Sequence, residues 1–442
     1  MRGRKVPGDS EPIGNQNMAS KSAPIFYGWI VVFCVFVVLF IAFGCAYSFT
    51  TFFEALQLEF EATRWSTSLV FSIAGFLYFS LGAISGQLAD RLGPRLIVIF
   101  GIVVIGFALL GASQAATMRQ VYLAYGVGIG VGVGFVYVPA VSVVQRWFVR
   151  RRGLASGLAV TGVGLGTLCF PLFCALLISW SNWRIAYLFM GVMVLVLGVS
   201  AALFIVDLPE RMGLQPDGDW VPSHCDTASQ GITTEKKPVN IREMSVKEAL
   251  HTRIFWLLYA GCFTISLGLF IPFVHMVPFA SDLGLPKSTG VMLFGLVGAS
   301  STAGRFLLGR IADKFGRRSS LTSMYAGLAA IFTWWLVAKD VWEIAVFAIV
   351  FGTCYGGYVA LIPAVAADYF SGRNLSGIIG ALYTSFGLGS LAGPTFAGLA
   401  FDLQGTYTIP IIVSAIAAMV ATISAVLLED PIQWRDRALG KL

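Results

Sequence analysis

Twelve long apolar stretches dominate this chain of 442 residues. A helix needs about 20 mostly apolar residues to cross a bilayer, and each stretch is that long. Only 12% of the residues are charged, against about 25% in an average soluble domain. The stretches cover residues 27–53, 65–88, 94–115, 119–145, 153–178, 183–206, 254–280, 288–312, 319–338, 341–367, 375–401 and 407–428. We therefore predict an all-α membrane protein with twelve transmembrane helices embedded in a lipid bilayer.

Basic residues are distributed very unevenly between alternate loops. Most of the 30 Lys and Arg residues lie in one set of loops and in the two tails. The other set contains Arg64, Arg119, Arg184, Lys287 and Lys339. Basic loops stay in the cytoplasm, so we predict cytoplasmic termini in a multi-pass plasma (inner) membrane protein. The net charge of +7 then reflects these loops, and no nucleic-acid partner is expected.

A ten-residue motif occurs twice, 223 positions apart. "GQLADRLGPR" begins at Gly86 and "GRIADKFGRR" begins at Gly309. The same offset aligns residues 145–166 with 368–389, which pairs helix 2 with helix 8 and helix 5 with helix 11. The chain therefore reads as two related six-helix halves. The predicted divisions are a tail (1–24), a first bundle (25–206), a central loop (207–252), a second bundle (253–430) and a final tail (431–442).

The repeated motif resembles the loop signature of the major facilitator superfamily. This resemblance covers the whole chain and implies the major facilitator fold, with two pseudo-symmetric six-helix bundles that rock about a central pocket. Each motif is expected to be a cytoplasmic turn that latches one conformation, and a static turn with topogenic charges is the alternative. The expected latch residues are Gly86, Asp90, Arg91, Gly309, Asp313 and Arg317. Asp90 and Asp313 are expected to accept hydrogen bonds from a neighbouring helix N-terminus or to pair with bases of the same loop.

Arg305 is the basic residue that falls inside a predicted span and away from the ends of that span. It lies eight residues before Asp313, or about 12 Å along a helix, which places it near the middle of the membrane. No acidic residue of the predicted spans lies near that depth to neutralise it. The repeat places Gly82 at the equivalent position, so the architecture itself does not need an arginine there. A guanidinium binds a carboxylate through two hydrogen bonds, and we predict that Arg305 binds an anionic substrate. An arginine held by backbone carbonyls or water is the alternative.

Other polar residues in the spans complete a candidate pocket. His275 is the one histidine in a span, and it is predicted to bind substrate or to titrate, with a packed histidine as the alternative. Pro272 and Pro278 flank it and are expected to bend helix 7. Four tyrosines lie at depths that suit a central ligand, namely Tyr137, Tyr355, Tyr358 and Tyr383. The seven cysteines have no metal-ligand spacing, and neither a metal nor a cofactor is expected.

Local motifs resemble the monocarboxylate transporter branch of the superfamily. These are "YGWIVVFCVFVVLF" in helix 1, "RWFVRRRGLASGLAVTG" at 146–162 and "AGRFLLGRIAD" in helix 8. The family's helix 8 arginine pairs with the substrate carboxylate, a role that maps onto Arg305. The acid that mammalian members carry one turn earlier is replaced here by Ser301. The lysine that the related oxalate:formate antiporters carry in helix 11 is absent as well.

The predicted function is secondary active transport of a small monocarboxylate such as lactate or pyruvate, by alternating access and as a monomer. Exchange of organic anions, as in the oxalate:formate antiporters, is the second interpretation. Coupling to protons is left open. An enzyme would need a buried catalytic cluster, and the sequence offers none, so enzymatic activity is not expected. A nutrient sensor would need a signalling domain, for which the two tails are short.

Overall fold

Twelve long helices make up most of the part of the chain that the structure describes. The computed structural model describes residues 26–148, 150–218, 245–370, 375–431, 433 and 434, without the side chains of residues 83, 152, 309, 310, 313 and 376. The helices are α1 (Tyr27–Glu59), α2 (Arg64–Leu92), α3 (Pro94–Ser113), α4 (Met118–Trp147), α5 (Arg152–Trp180), α6 (Trp183–Leu203), α7 (Arg253–Asp282), α8 (Lys287–Phe315), α9 (Arg317–Trp335), α10 (Val341–Tyr369), α11 (Leu375–Gln404) and α12 (Thr408–Val426). A short helix, Val246–Leu250, precedes α7. Within the described ranges the chain forms no strand, and the predicted all-α class is confirmed.

Ten of these helices are long and apolar enough to span a membrane, judged on the described residues. The other two, α9 and α11, contain 19 and 30 residues. Polar residues at the start of α9, including Arg317 and Arg318, lower its hydropathy. α11 is rich in glycine, serine and threonine and packs between α2 and α7. Both are nevertheless long enough to cross the hydrocarbon core with the other ten.

The packing of the helices follows the sequence repeat. In the first half α2 packs on α4, α1 on α5 and α3 on α6. The equivalent helices of the second half make the same pairs, α8 with α10, α7 with α11 and α9 with α12. The halves contact each other mainly through α2 with α11 and through α5 with α8, and these two interfaces are exchanged by the same offset. The predicted boundaries of the halves remain an expectation, and residues 1–24, most of the central loop and nearly all of the final tail lie outside the described residues.

The repeated decapeptides end in matching glycine turns. Gly93 follows α2 with φ of 92°, and Gly316 follows α8 with φ of 93°. Each is the eighth residue of its decapeptide. Side chains are strongly disfavoured at such positive φ, whereas glycine adopts it freely. The glycine therefore lets the chain leave one membrane helix and enter the next within a single residue.

Two helices are broken within one residue of equivalent positions in the repeat. α1 consists of Tyr27–Tyr47 and Phe49–Glu59, which meet at Ser48. α7 consists of Arg253–Leu269 and Ile271–Asp282, which meet at Phe270. Pro272 lies in the first turn of the second segment of α7, where proline needs no amide hydrogen. The bend expected from the prolines of α7 thus lies immediately before Pro272.

The two ends of the bundle carry different residues. The turns at Gly93 and Gly316 lie at one end, called here the decapeptide end. α1 begins there, since the Tyr27 hydroxyl donates to the Phe204 carbonyl at 2.9 Å, and α12 ends there, since Arg318 donates to the Val426 carbonyl at 2.7 Å. The other end, called the Arg64 end, contains the connections from α1 to α2, α7 to α8 and α11 to α12. The charge bias predicts that the Arg64 end faces away from the cytoplasm.

Candidate functional site

Arg305 lies in the middle of α8 at the interface between the halves. Its Nη1 donates a hydrogen bond of 3.0 Å to the Val160 carbonyl of α5. Its Nε is buried and has no hydrogen-bond partner within the described part of the chain. The ion pairs found among the described side chains do not include Arg305. A guanidinium with a buried unpaired donor in a low-dielectric environment favours an added anion.

A central cavity lies beside Arg305, between the two halves. The cavity has a volume of about 60 Å³, which is room for a few waters or one small molecule. Its walls come from α1, α2, α4, α5, α7, α8, α10 and α11. The lining residues are Phe43, Tyr47, Tyr78, Phe79, Gly82, Gly134, Tyr137, Val138, Val160, Val163, Phe270, Arg305, Tyr355, Val359, Tyr383 and Phe386. The cavity is thus mainly apolar and aromatic, with tyrosine hydroxyls and one charged group in this described wall.

Four of the six predicted binding residues line this cavity, namely Arg305, Tyr137, Tyr355 and Tyr383. Gly82, the repeat equivalent of Arg305, lines it as well. The pseudo-symmetry therefore brings the two equivalent positions to the same space, one with a charge and the other with no side chain. The glycine leaves its part of the cavity wall without a side chain.

Two tyrosines of the cavity wall, Tyr47 and Tyr78, are not among the predicted binding residues. The Tyr47 hydroxyl lies 3.4 Å from the hydroxyls of both Tyr78 and Tyr355. The three hydroxyls thus join α1, α2 and α10 at one wall of the cavity. The repeat contained a signal for Tyr78, because it lies four residues before Gly82 and therefore on the same face of α2. Tyr47 precedes the break in α1, which the apolar sequence does not reveal.

Tyr358 is not among the side chains that line the cavity. Its ring stacks on Phe386 at 5.4 Å and packs against Tyr325 at 5.3 Å. The residue is fully buried, and its hydroxyl has no partner in the described ranges. Tyr358 therefore belongs to the packed interior of the second half, behind the cavity wall.

His275 is likewise not a lining residue of the cavity. It is fully buried in the second segment of α7. Its Nδ1 lies 2.9 Å from the Tyr407 hydroxyl, and its Nε2 lies 2.9 Å from the Pro394 carbonyl and 3.0 Å from the Ser68 hydroxyl. Both ring nitrogens thus have hydrogen-bond partners in the protein, which belong to α2, to α11 and to the residue before α12. In this arrangement the imidazole has no free atom for a ligand in the central cavity.

An ion-pair network joins the halves next to His275. Arg64 of α2 forms two hydrogen bonds of 2.6 and 2.7 Å with the Asp282 carboxylate of α7, and its Nη1 donates to the Tyr407 hydroxyl at 2.6 Å. Asp402 of α11 accepts from the backbone amides of Arg64 and Trp65 at 2.9 and 2.8 Å. That carboxylate caps the positive N-terminus of α2. The Arg64 end is therefore closed between α2, α7 and α11.

The expected latch residues make contacts that differ from the prediction. Asp90 is paired with Arg146, at the end of α4, at 2.8 Å, rather than with a helix N-terminus or its own loop. The N-terminus of α3 is instead capped by Asp207, which accepts from the Arg95 amide at 2.8 Å. Water competes less for the hydrogen bonds of a buried carboxylate, so Asp207 holds this turn better than the exposed Asp90 could. The Asp207 side chain is 7% exposed, whereas the Asp90 side chain is 71% exposed.

The remaining latch residues differ in their surroundings. Gly86 packs against Val138 of α4, since a Cβ added there would lie 3.1 Å from that side chain. Arg91 is exposed. Arg317 donates to Asp368 of α10 at 2.8 Å. The side chains at Gly309 and Asp313 lie outside the described residues. Their role as a conformational latch stays a prediction.

Comparison with known proteins places this architecture in a family. Residues 35–337 and 300–441 match the Major Facilitator Superfamily. Monocarboxylate transporter 12-B of Danio rerio is 28% identical over 409 residues, covering 88% of this chain and 84% of that protein. The agnestins efflux protein of Paecilomyces divaricatus is 29% identical over 409 residues, covering 89% and 87%.

A solved structure has the same fold. The bacterial homologue of the human lysosomal transporter Spinster, in an inward-facing and unoccupied conformation, aligns with a TM-score of 0.68 at 16% identity. The alignment covers 91% of this chain and 98% of that one. The described residues form twelve helices in two repeat-related sets with a central cavity between them. Because the family model also matches most of its length, this chain belongs to the Major Facilitator Superfamily of membrane transporters.

Proposed function

We propose that the protein is a secondary active transporter of a small monocarboxylate, such as lactate or pyruvate, across the plasma (inner) membrane. The observation that carries the proposal is Arg305, a half-buried guanidinium with an unpaired Nε beside the central cavity. A carboxylate fits the planar fork through two hydrogen bonds. The name of the Danio rerio relative, a monocarboxylate transporter, supports the same substrate class.

The size and walls of the cavity favour a small substrate with one charge. The cavity volume of about 60 Å³ suits a molecule of a few heavy atoms. Among the described lining side chains Arg305 alone is charged, so a second carboxylate would lose its hydration without gaining a partner. Monoanions are therefore favoured over dianions, which makes exchange of oxalate-like dianions the weaker candidate.

The hydroxyls of Tyr47, Tyr78 and Tyr355 give this cavity a polar wall. Each hydroxyl both donates and accepts, and their separations of 3.4 Å are long, so they have capacity for stronger partners. A keto or hydroxyl oxygen next to the substrate carboxylate would provide one. This favours acids with oxygen at carbon 2 over plain fatty acids of the same length.

The contacts between the halves support transport by alternating access. The interfaces α2–α11 and α5–α8 lie on opposite sides of the cavity, and Arg64 with Asp282 and Asp402 closes one end. Rocking the halves about the cavity would open this end and close the other, as in other transporters of this repeat design. The charge bias favours cytoplasmic termini, with the Arg64 end on the far side.

Uptake of radiolabelled L-lactate into proteoliposomes that contain the purified protein tests this proposal. We expect saturable uptake above that of protein-free liposomes. Competition by pyruvate and 2-hydroxybutyrate should exceed competition by propionate, butyrate, oxalate or succinate at equal concentration. A thermal-shift screen of the same acids measures binding independently of transport. Stabilisation by dianions alone, with no lactate uptake, would replace the proposal by an anion exchanger.

A further inference from the structure

We infer that the cluster of Arg64, Tyr407, His275 and Ser68 is a proton-sensitive gate, which closes the Arg64 end only while the His275 ring is neutral. The inference rests on alternating access in the proposed function. It assigns to His275 a task at the gate, separate from the substrate cavity that Arg305 lines. The directions of the hydrogen bonds around the ring support this assignment.

The hydrogen bonds around His275 form a closed, directed circuit. The Pro394 carbonyl can only accept, so Nε2 of His275 must carry the hydrogen, at 2.9 Å. In a neutral ring Nδ1 is then an acceptor, and the Tyr407 hydroxyl donates to it at 2.9 Å. Tyr407 in turn accepts from Arg64 at 2.6 Å.

Ser68 completes the circuit. Its hydroxyl donates to the Arg64 carbonyl at 2.6 Å, which leaves its oxygen free to accept from His275 Nε2 at 3.0 Å. The chain of donors thus runs from the Arg64 guanidinium through Tyr407, His275 and Ser68 back to the Arg64 backbone. Each group in the circuit therefore has a single assignment of donor and acceptor that is compatible with its neighbours.

A second proton on the His275 ring is incompatible with this circuit. Nδ1 would become a donor and would meet the Tyr407 hydroxyl hydrogen. Tyr407 would have to accept from both His275 and Arg64, and its own hydrogen would lose its partner. A buried donor without a partner costs free energy, and the added positive charge would lie close to the Arg64 guanidinium.

The charges around the ring do not offset this conflict. Asp282 is engaged by both terminal nitrogens of Arg64, and Asp402 by the first amides of α2. α1 presents the uncharged ring of Phe53 to His275 at 5.4 Å. The charged residues of α1 and α8 at this end are also paired, Glu54 with Lys287 at 3.2 Å and Glu59 with Arg184 at 2.6 Å.

Protonation is therefore linked to opening of the gate. The circuit joins the two halves, because Arg64 and Ser68 belong to α2 whereas His275, Pro394 and Tyr407 belong to the second half. When the halves separate, the ring meets water, where histidine titrates with a pKa of about 6.5. Only the open state then binds the proton, so acid on this side favours opening. The ratio of open to closed molecules should rise roughly tenfold between pH 7.5 and pH 5.5.

Spin-label distances across the gate test this inference without any substrate. Labels at Leu58 of α1 and Leu403 of α11, which are 80% and 76% exposed, report the separation of the halves at the Arg64 end. Cys169 and Cys225 are replaced by serine so that they take no label. We expect the population with the longer distance to grow as the pH falls from 7.5 to 5.5. The same populations at both pH values would overturn the inference.

Two variants identify the group that binds the proton. His275→Gln keeps a donor near Nε2 but cannot titrate, so the pH response should be flat. Tyr407→Phe removes the conflicting hydrogen and one partner of Arg64, so the gate should be more open at pH 7.5 and respond less to acid. His251→Gln is the matched control, because His251 is exposed and its ring bonds to a carbonyl of its own segment, that of Lys247, at 2.7 Å. It should behave as wild type, and a wild-type response in His275→Gln would overturn the assignment.

The Arg305→Ala background separates this inference from the proposed substrate. Loss of Arg305 should weaken lactate binding by roughly 150-fold yet leave the pH response of the label distances unchanged, since no residue of the circuit lines the central cavity. A lost pH response in Arg305→Ala would mean that the proton acts through the cavity, and the gate inference would be wrong. If the wild-type protein bound no lactate but kept the pH response, the gate inference would stand and the proposed substrate would be refuted.

Discussion

Replacing Arg305 tests the central assumption about the substrate site. A carboxylate held by both arms of the guanidinium gains two charge-assisted hydrogen bonds, each worth about 1.5–3 kcal/mol. Arg305→Ala removes both, a loss of at least about 3 kcal/mol, or roughly 150-fold in affinity. Arg305→Lys keeps the charge but loses the fork, and we expect a loss of about tenfold. The protein should fold in both cases, because Arg305 is tied to α5 by a single hydrogen bond, of 3.0 Å to the Val160 carbonyl.

Lactate binding by isothermal titration calorimetry measures these affinities, and proteoliposome uptake measures transport in parallel. Arg184→Lys is the matched control, since Arg184 pairs with Glu59 at 2.6 Å on an exposed surface. It should retain wild-type affinity. If Arg305→Ala bound lactate within about threefold of wild type, the carboxylate would not be on Arg305 and the reasoning from the unpaired Nε would fail.

Three further changes test other parts of the structure. Asp90→Asn breaks an exposed ion pair with Arg146 worth about 0.2–1 kcal/mol, so turnover should fall by up to about fivefold with lactate affinity unchanged; a large loss of affinity measured by calorimetry would contradict a conformational role. Gly398→Ala places a Cβ 2.7 Å from backbone atoms of Arg64, so α11 cannot approach α2 as closely, and the label distances at the Arg64 end should lengthen at every pH. Tyr355→Phe removes a hydroxyl from the cavity wall and should reduce the preference for lactate over propionate by about five- to tenfold, since a neutral hydrogen bond is worth about 1 kcal/mol; an unchanged ratio of inhibition constants would exclude this hydroxyl from selectivity.

The general architecture could be predicted because it depends on local and periodic properties of the sequence. Apolar length alone predicts a membrane helix, and the repeat predicts which helices occupy equivalent positions. Arg305 was predicted for the same reason, since the depth of a residue in a span follows from counting along one helix. The family match confirms the predicted architecture, whereas the role of Arg305 stays a prediction.

The arrangement around His275 could not be predicted, because it depends on contacts between distant helices. Its partners Ser68, Pro394 and Tyr407 are 207, 119 and 132 residues away. Counting along α7 gives the depth of His275 but not the direction that its side chain faces. The break at Phe270 changes that direction for every residue that follows.

The breaks at Ser48 and Phe270 make levers of the last parts of α1 and α7. The segments Phe49–Glu59 and Ile271–Asp282 contain 11 and 12 residues, or about 17 Å of helix. A bend of roughly 20° at either break would displace the far end of its segment by about 6 Å, given this length. That is about twice the length of the hydrogen bonds that Asp282 makes with Arg64, 2.6 and 2.7 Å. Tyr47 and Phe270, which line the cavity, lie at the fulcrum and would hardly move. The Arg64 end can therefore open by local bending of these two segments, while the walls of the central cavity keep their shape.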